Sequence, residues 1–237
     1  MNYLIDEAVN TGKAANSINS MLHHFLEHHS LGESDITLHA DNCSGQNKNR
    51  YVMQYLAWRG MVGLSDNITV SFLIVGHTKF SPDWCFGREL FDAQGWAVLT
   101  ILSVVESSAK VNYAQLVGAQ DGKVIVPTYN WSDYFDPFFK QTAFQGIKAM
   151  HHMRFSKSHR GKAYVKNTVD SLEKKISLLK DPKWRPDKKE LPPMVPPPGL
   201  SLERRKYLFE KIREFCPPEC QDSVCSEPVD DTASTNP

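Results

Sequence analysis

The 237-residue chain carries 27 basic and 27 acidic side chains, and 41% of its residues are hydrophobic; this composition suits a globular core and excludes a disordered chain. The longest apolar stretch, WAVLTILSVV from Trp96 to Val105, is about half of what a membrane-spanning helix requires, and Met1 opens onto structured-looking sequence with no charged-then-apolar leader, so an intracellular protein with no membrane partner is expected. The cysteines Cys43, Cys85, Cys216, Cys220 and Cys225 are odd in number and scattered, which argues against a disulfide framework.

The formal net charge of zero hides an asymmetry. Residues 1–139 hold 8 Lys/Arg against 14 Asp/Glu, residues 140–213 hold 19 against 7, and residues 214–237 hold 0 against 6. A basic block of this kind attracts phosphate backbones by counterion release, and also occurs as a plain solvated face.

In chain order, NYLIDE reads as a short strand. A helix follows, with Ala14, Ala15, Ile18, Met21, Leu22, Phe25 and Leu26 forming one apolar stripe and His24 and His28 on another face. In DITLHA, Ile36, Leu38 and Ala40 alternate with Thr37 and His39, the pattern of a strand buried on at least one face. A second helix starts near Asn47 or Asn49, either of which can cap it, and buries Val52, Tyr55, Leu56 and Met61. The run ITVSFLIVG is close to continuously apolar, as a strand covered on both faces of a parallel sheet would be. SPDW then offers Ser81 as cap and Pro82 at the first position of a third helix, with Asp83 in its first turn. Strand and helix alternate three times, an α/β pattern in which ligands bind at the carboxyl ends of strands.

Further on, VNYAQLVGAQDGKVIVPTYNW predicts a hairpin turning at QDGK, and HHMRFSKSHRGKAYVK a basic pair of strands around HRGK. DPKWRPDKKELPPMVPPPG is a proline-rich linker. Ser201 caps a basic helix, LERRKYLFEKIREF, and an acidic tail follows from Pro217.

The stretch HADNCSGQNKNR, residues 39–50, places Asp41 at the end of the DITLHA strand, with Asp83 a short loop beyond the next strand. Two carboxylates so placed suit hard divalent ions, Mg²⁺ or Mn²⁺, which clamp the attacking and leaving oxygens of a phosphodiester. Asn42 adds an oxygen donor, Lys48 and Arg50 can meet a phosphate, and His77 can orient a water or shuttle a proton. Gln46, Asn47 and Lys79 join them as candidate nucleic-acid contacts, with Arg154, Lys157, Arg160 and Lys162 from the basic block. Plain structural roles fit the same residues: Asp41-Asn42 as an Asx turn, Gln46 and Asn47 as caps, Asp83 as a complement to a helix dipole. His23, His24, His28 and His29 lack an acid or Cys at a familiar zinc spacing.

LHADNCSGQNKNRYVMQYLAWR with SFLIVGHTKFSPDWCFG resembles a family of uncharacterised, transposon-derived domains, and the resemblance runs from NYLIDEA to LPPMVPPPGLSLERRKYLFEKIREFC. Members look like DDE transposase cores of the ribonuclease-H-like fold, whose acids on the first strand, at the end of the fourth strand and on a late helix bind two Mg²⁺ ions for DNA cleavage and strand transfer. The resemblance implies that Asp41 is the second acid and Asp83 the third, and that the chain begins at the third strand. The strand carrying the first acid is then absent, which would leave an unpaired edge on DITLHA; Asp6 or Glu7 would be the available substitutes. The continuation RELFDAQGWAVLTILSVVES departs from the more basic one expected after FG.

The expected organisation is an α/β, ribonuclease-H-like mixed sheet truncated at its N-terminus over residues 1–110, a basic β-rich region over 111–180, a linker over 181–200, a terminal helix over 201–216 and a disordered acidic tail over 217–237. The expected function is that of a transposase-derived, nuclear DNA-binding protein in which Mg²⁺-dependent cleavage is ancestral and no longer performed. A domesticated nucleic-acid-binding module using Arg154, Lys157, Arg160, Lys162 and Lys166, and a protein-interaction fragment, are the alternatives.

Overall fold

The computed structural model describes residues 2–5, 7–12, 14–73, 114–117, 119–120 and 123–228. It divides into two units, one built from residues 11–73 and 126–196 and the other from residues 2–10, 114–125 and 197–228. Asp6, His77, Lys79, Asp83, Cys85 and the expected third helix lie outside the described residues.

The smaller unit pairs β1 (Asn2–Ile5), the strand expected at NYLIDE, in parallel with β4 (Ala114–Val117). The short antiparallel pair β5 (Ala119–Gln120) and β6 (Lys123–Val124) flanks the turn expected at QDGK. Ser201 accepts a hydrogen bond from Arg204 N and opens a helix at Leu202–Tyr207. The Arg204 guanidinium holds the Glu7 carboxylate at 2.7 and 2.9 Å and keeps it below the usual carboxylate range.

In the larger unit, α1 (Ala15–His28), β2 (Asp35–Ala40), α2 (Arg50–Met61) and β3 (Asn67–Phe72) follow in the order read from the sequence. Asn49 caps α2 by accepting from Tyr51 N and Val52 N, satisfying two donors that a helix start leaves without partners. The basic pair of strands is present as β7 (His152–Ser156) and β8 (Lys162–Lys166), and β9 (Lys174–Ser177) adds a further strand. Together they form one mixed sheet in the order β2-β3-β7-β8-β9, with β2 and β3 parallel and every other pair antiparallel. β7, β8 and β9 therefore share a sheet with the strands that flank α2.

One face of this sheet is the core. Ile68, Val70, Phe72, Met153, Phe155, Ala163 and Val165 are buried on it, together with Tyr55, Leu56 and Trp58 of α2. Trp131 and Phe135 of a short helix, α3 (Trp131–Phe135), complete the cluster. Trp131 meets Tyr55 and Trp58 edge-on at 5.0 and 5.2 Å, the geometry aromatic quadrupoles favour. Trp184 stacks on Phe138 at 4.1 Å, and Val195 N donates to Thr128 O, so the proline-rich stretch up to residue 196 packs on this unit.

Two expectations need correction. β3 is buried on one face only: Thr69 and Ser71 alternate with Ile68, Val70 and Phe72, because β7 is its antiparallel neighbour and the second face is polar. The buried side of α1 is also wider than its apolar stripe, of which Ile18 and Leu22 pack partly buried against the core. Ser17, Asn19, Ser20 and His23 are buried with Ala15 and Leu26, while Phe25 stays 37% exposed. The aromatic cluster requires polar partners, and Ser20 Oγ supplies one by accepting from Trp131 Nε1 at 3.1 Å and Tyr129 N at 2.9 Å.

Candidate functional site

Asp41 follows β2 directly and closes a loop on itself. Its Oδ1 accepts from Cys43 N at 3.1 Å and from Asn47 Nδ2 at 2.7 Å. Cys43 O accepts from the backbone N–H groups of Gln46, Asn47 and Lys48, and Asn49 Nδ2 donates to Gln46 O. The amide-rich sequence thus satisfies the backbone of a connection that runs from strand end to helix cap. Ser44, Gly45 and Asn49 line a cleft of about 250 Å³ with Asn16, Tyr51 and Ser132.

Lys48 is the unusual member. It is 2% exposed, and its ammonium donates to Asn42 Oδ1 at 2.8 Å and to Lys148 O at 3.0 Å while lying 4.9 Å from the centre of the Phe72 ring. Burial holds its pKa below the ordinary lysine range. Asn42 Nδ2 donates to Leu73 O, so the Asn42 amide ties the ends of β2 and β3 together. Arg50 remains half-exposed; it stacks on the Tyr51 ring at 4.5 Å and reaches Asp136 at 3.3 Å.

A two-ion centre needs several oxygen ligands converging on one place. Among the described residues no three His, Cys, Asp or Glu side chains come together to hold a metal ion. The Asn42 oxygen that was to add a ligand faces the Lys48 ammonium instead. The described part of the site does not by itself fit a pair of Mg²⁺ ions, and Asp83, its expected partner, lies outside the described residues.

The basic candidates are brought together differently. Strand alternation puts side chains opposite the core residues onto the second face of the sheet. The register runs Thr37, Thr69, Arg154, Tyr164, Lys175 in one row across five strands, and His39, Ser71, His152, Lys166 in the next. Lys162 opposes Ser177 beside them and donates to its hydroxyl at 2.7 Å. Arg154 lies 4.3 Å over the Tyr164 ring and pairs with Glu173 at 3.0 Å. Desolvation, and then the neighbouring charges of His151, Lys166 and His39, hold His152 below the usual histidine range, and Ser71 Oγ lies 2.9 Å from its Nδ1. Lys157 and Arg160 occupy the connection between β7 and β8 rather than the face. Lys157 pairs with Asp66 at 2.9 Å; Arg160 is exposed, and desolvation followed by the like charge of Arg185 lowers its pKa.

Sequence reading pooled the basic residues by proximity along the chain and missed Tyr164, His152 and Lys175. The signal for the first two was present: in HMRFS and KAYVK, His152, Arg154, Lys162, Tyr164 and Lys166 all fall on the same side of a period-two alternation. No described helix is long and apolar enough to cross a membrane.

A family model described as a domain of unknown function, DUF7869, matches residues 7–172. No curated protein and no solved structure matches the chain.

Proposed function

The chain belongs to the DUF7869 family of domains of unknown function, and from that premise we propose that it is a nucleic-acid-binding protein, derived from a transposase core of the ribonuclease-H-like type, that holds DNA without cutting it. The observation that carries this reading is the second face of the five-stranded sheet, where Arg154, Lys162, Lys166 and Lys175 stand around Tyr164 on β7, β8 and β9, with the hydroxyls of Thr37, Thr69 and Ser71 on the adjoining strands β2 and β3. Lysines and arginines there neutralise phosphates, hydroxyls hydrogen-bond to them, and Tyr164 adds an aromatic surface. The pair with Glu173 is no obstacle, because an exposed ion pair contributes about 0–1 kcal/mol and a phosphate competes for the same guanidinium.

The ancestral reading rests on Asp41 at the carboxyl end of β2, with β2 parallel to β3 and α2 between them in sequence. In an ancestor, Asp41 and Asp83 would hold Mg²⁺ or Mn²⁺, which would supply phosphodiester activation, and His77 would orient a water or carry a proton. In this chain Lys48 places a buried cation against the Asn42 amide, which disfavours a metal ion at the same oxygen. A nuclear location follows from a DNA partner.

The test is anisotropy of a labelled DNA duplex between 50 and 200 mM salt. Binding that weakens steeply with salt and survives Asp41→Ala and Asp83→Ala supports binding as the function. Absence of any salt-dependent binding overturns it.

A further inference from the structure

The five-stranded sheet ends at β2, and among the described residues no strand pairs with its outer edge. Ser34 O accepts from Asp66 N and Ala40 O from Leu73 N, both on the β3 side. Consecutive residues of a strand present their backbone groups to opposite edges, so the N–H and C=O of Asp35, Thr37 and His39 point away from β3. The edge spans six residues, and its sequence, DITLHA, contains neither the proline nor the lysine that commonly blunts an exposed edge.

Beside this edge lies a cavity of about 670 Å³, bordered by Phe25 and Leu26 of α1, Ile36 and Leu38 of β2, and Arg59 and Ser65. That is within the roughly 300–1,000 Å³ range of ligand clefts. Arg59 is 3% exposed and Ser65 is 1% exposed, yet Arg59 Nε and Ser65 Oγ have no hydrogen-bond partner. Leu31, in the loop between α1 and β2, is 94% exposed. Of the acids around the cavity, Glu27 pairs with Arg59 and Asp66 with Lys157, whereas among the described residues Glu33 and Asp35 meet no cation and accept only from Leu31 N and Asn67 Nδ2.

We propose that the outer edge of β2 and this cavity dock an extended segment of a partner protein, alternating apolar and polar residues and carrying Lys or Arg where it passes Glu33 and Asp35. The exposed backbone groups specify an extended polypeptide, because only a strand presents donors and acceptors at matching intervals. Its apolar side chains enter the cavity against Leu26, Ile36 and Leu38, and Arg59 Nε and Ser65 Oγ receive a carbonyl oxygen. A second copy of this chain fits less well: its own β2 has already committed Ile36, Leu38 and Ala40 to its core and would add two further acids. The proposal does not rest on the DNA-binding reading.

The test uses the full chain and a fluorescein-labelled peptide, Lys-Lys-Val-Thr-Leu-Thr-Val, beside a version headed by Glu-Glu and a version N-methylated at alternate backbone nitrogens. The Lys-headed peptide is expected to bind at least about tenfold more tightly than either control. Thr37→Pro removes an outward N–H without touching the β3 ladder, so it abolishes binding while the thermal midpoint stays within a few degrees. The pair Glu33→Lys and Asp35→Lys reverses the preference between Lys and Glu heads, and carries the test if Thr37→Pro does not fold. Equal binding of the N-methylated peptide, binding unaffected by Thr37→Pro in a folded protein, no reversal of preference, or a dimer dispersed by Thr37→Pro would each overturn the proposal.

Discussion

His23 Nδ1 lies 3.2 Å from the hydroxyl of Tyr55, and Arg59 Nη1 donates to that same phenolic oxygen at 3.3 Å. The hydroxyl accepts from Arg59, and the direction of its hydrogen bond with Nδ1 follows the imidazole tautomer. Burial is the main reason that the His23 pKa falls to about 4, with Glu27 opposing and Arg59 reinforcing the shift.

A stability dependence on pH follows. The unfolded chain binds the His23 proton more tightly than the folded one, so this contribution is intact above the ordinary histidine pKa near 6.5 and is lost as pH falls toward about 4. The full loss is about 3 kcal/mol, at about 1.4 kcal/mol per pKa unit. Urea midpoints at pH 7, 5.5 and 4.5 should fall for the wild type and fall less for His23→Gln. Parallel pH dependence of the two proteins would show that His23 is not the group involved.

Arg59 and Glu27 form an asymmetric pair, 2.8 Å apart, with side chains 3% and 33% exposed. Removing Glu27 leaves a buried guanidinium, whereas removing Arg59 leaves a carboxylate that water can reach. Glu27→Ala should therefore cost about 2 kcal/mol or more and exceed the cost of Arg59→Met. In the Arg59→Met background, Glu27→Ala should cost almost nothing, which a double-mutant cycle by chemical denaturation would read directly.

Gly161 turns the β7–β8 connection at φ +63°, and a Cβ there would lie 2.6 Å from Leu179 Cδ1. Gly161→Ala should lower stability by about 2–4 kcal/mol, from left-handed backbone strain plus overpacking. Gly45→Ala, with open space around the position, is the matched control and should stay within about 0.5 kcal/mol.

The larger unit's alternation was legible wherever one face of an element is apolar. DITLHA, HMRFS and KAYVK each declared their buried side, and Asn49 declared the start of α2. ITVSFLIVG misled because its apolar residues mask the hydroxyls of Thr69 and Ser71, which belong to the open face. α1 misled because Asn19, Ser20 and His23 are buried to satisfy aromatic and backbone groups contributed by distant segments. β9 could not be read from KKIS, whose Ile176 alone packs on the core. In the Asp41 loop the wealth of amides was visible, but the burial of Lys48 depends on Lys148 O, a hundred residues away.

A protein that holds DNA without cutting it should, with Mg²⁺ or Mn²⁺ present, leave supercoiled plasmid intact. Nicking that disappears in Asp41→Ala would mean that catalysis survives. Asn49→Ala, which removes the cap of α2, should cost about 1 kcal/mol by thermal or urea unfolding and leave DNA binding unchanged.

DNA binding by the sheet's second face is tested most sharply by the salt dependence of duplex affinity, for the wild type and for a combined Lys162→Ala, Lys166→Ala and Lys175→Ala variant. With three of the sheet's cations removed, the slope of log K against log salt should become shallower by about 2 to 3, at about 0.9 for each phosphate that is no longer neutralised. An unchanged slope in a variant that unfolds at the wild-type temperature would contradict the assignment of this face as the DNA-binding surface.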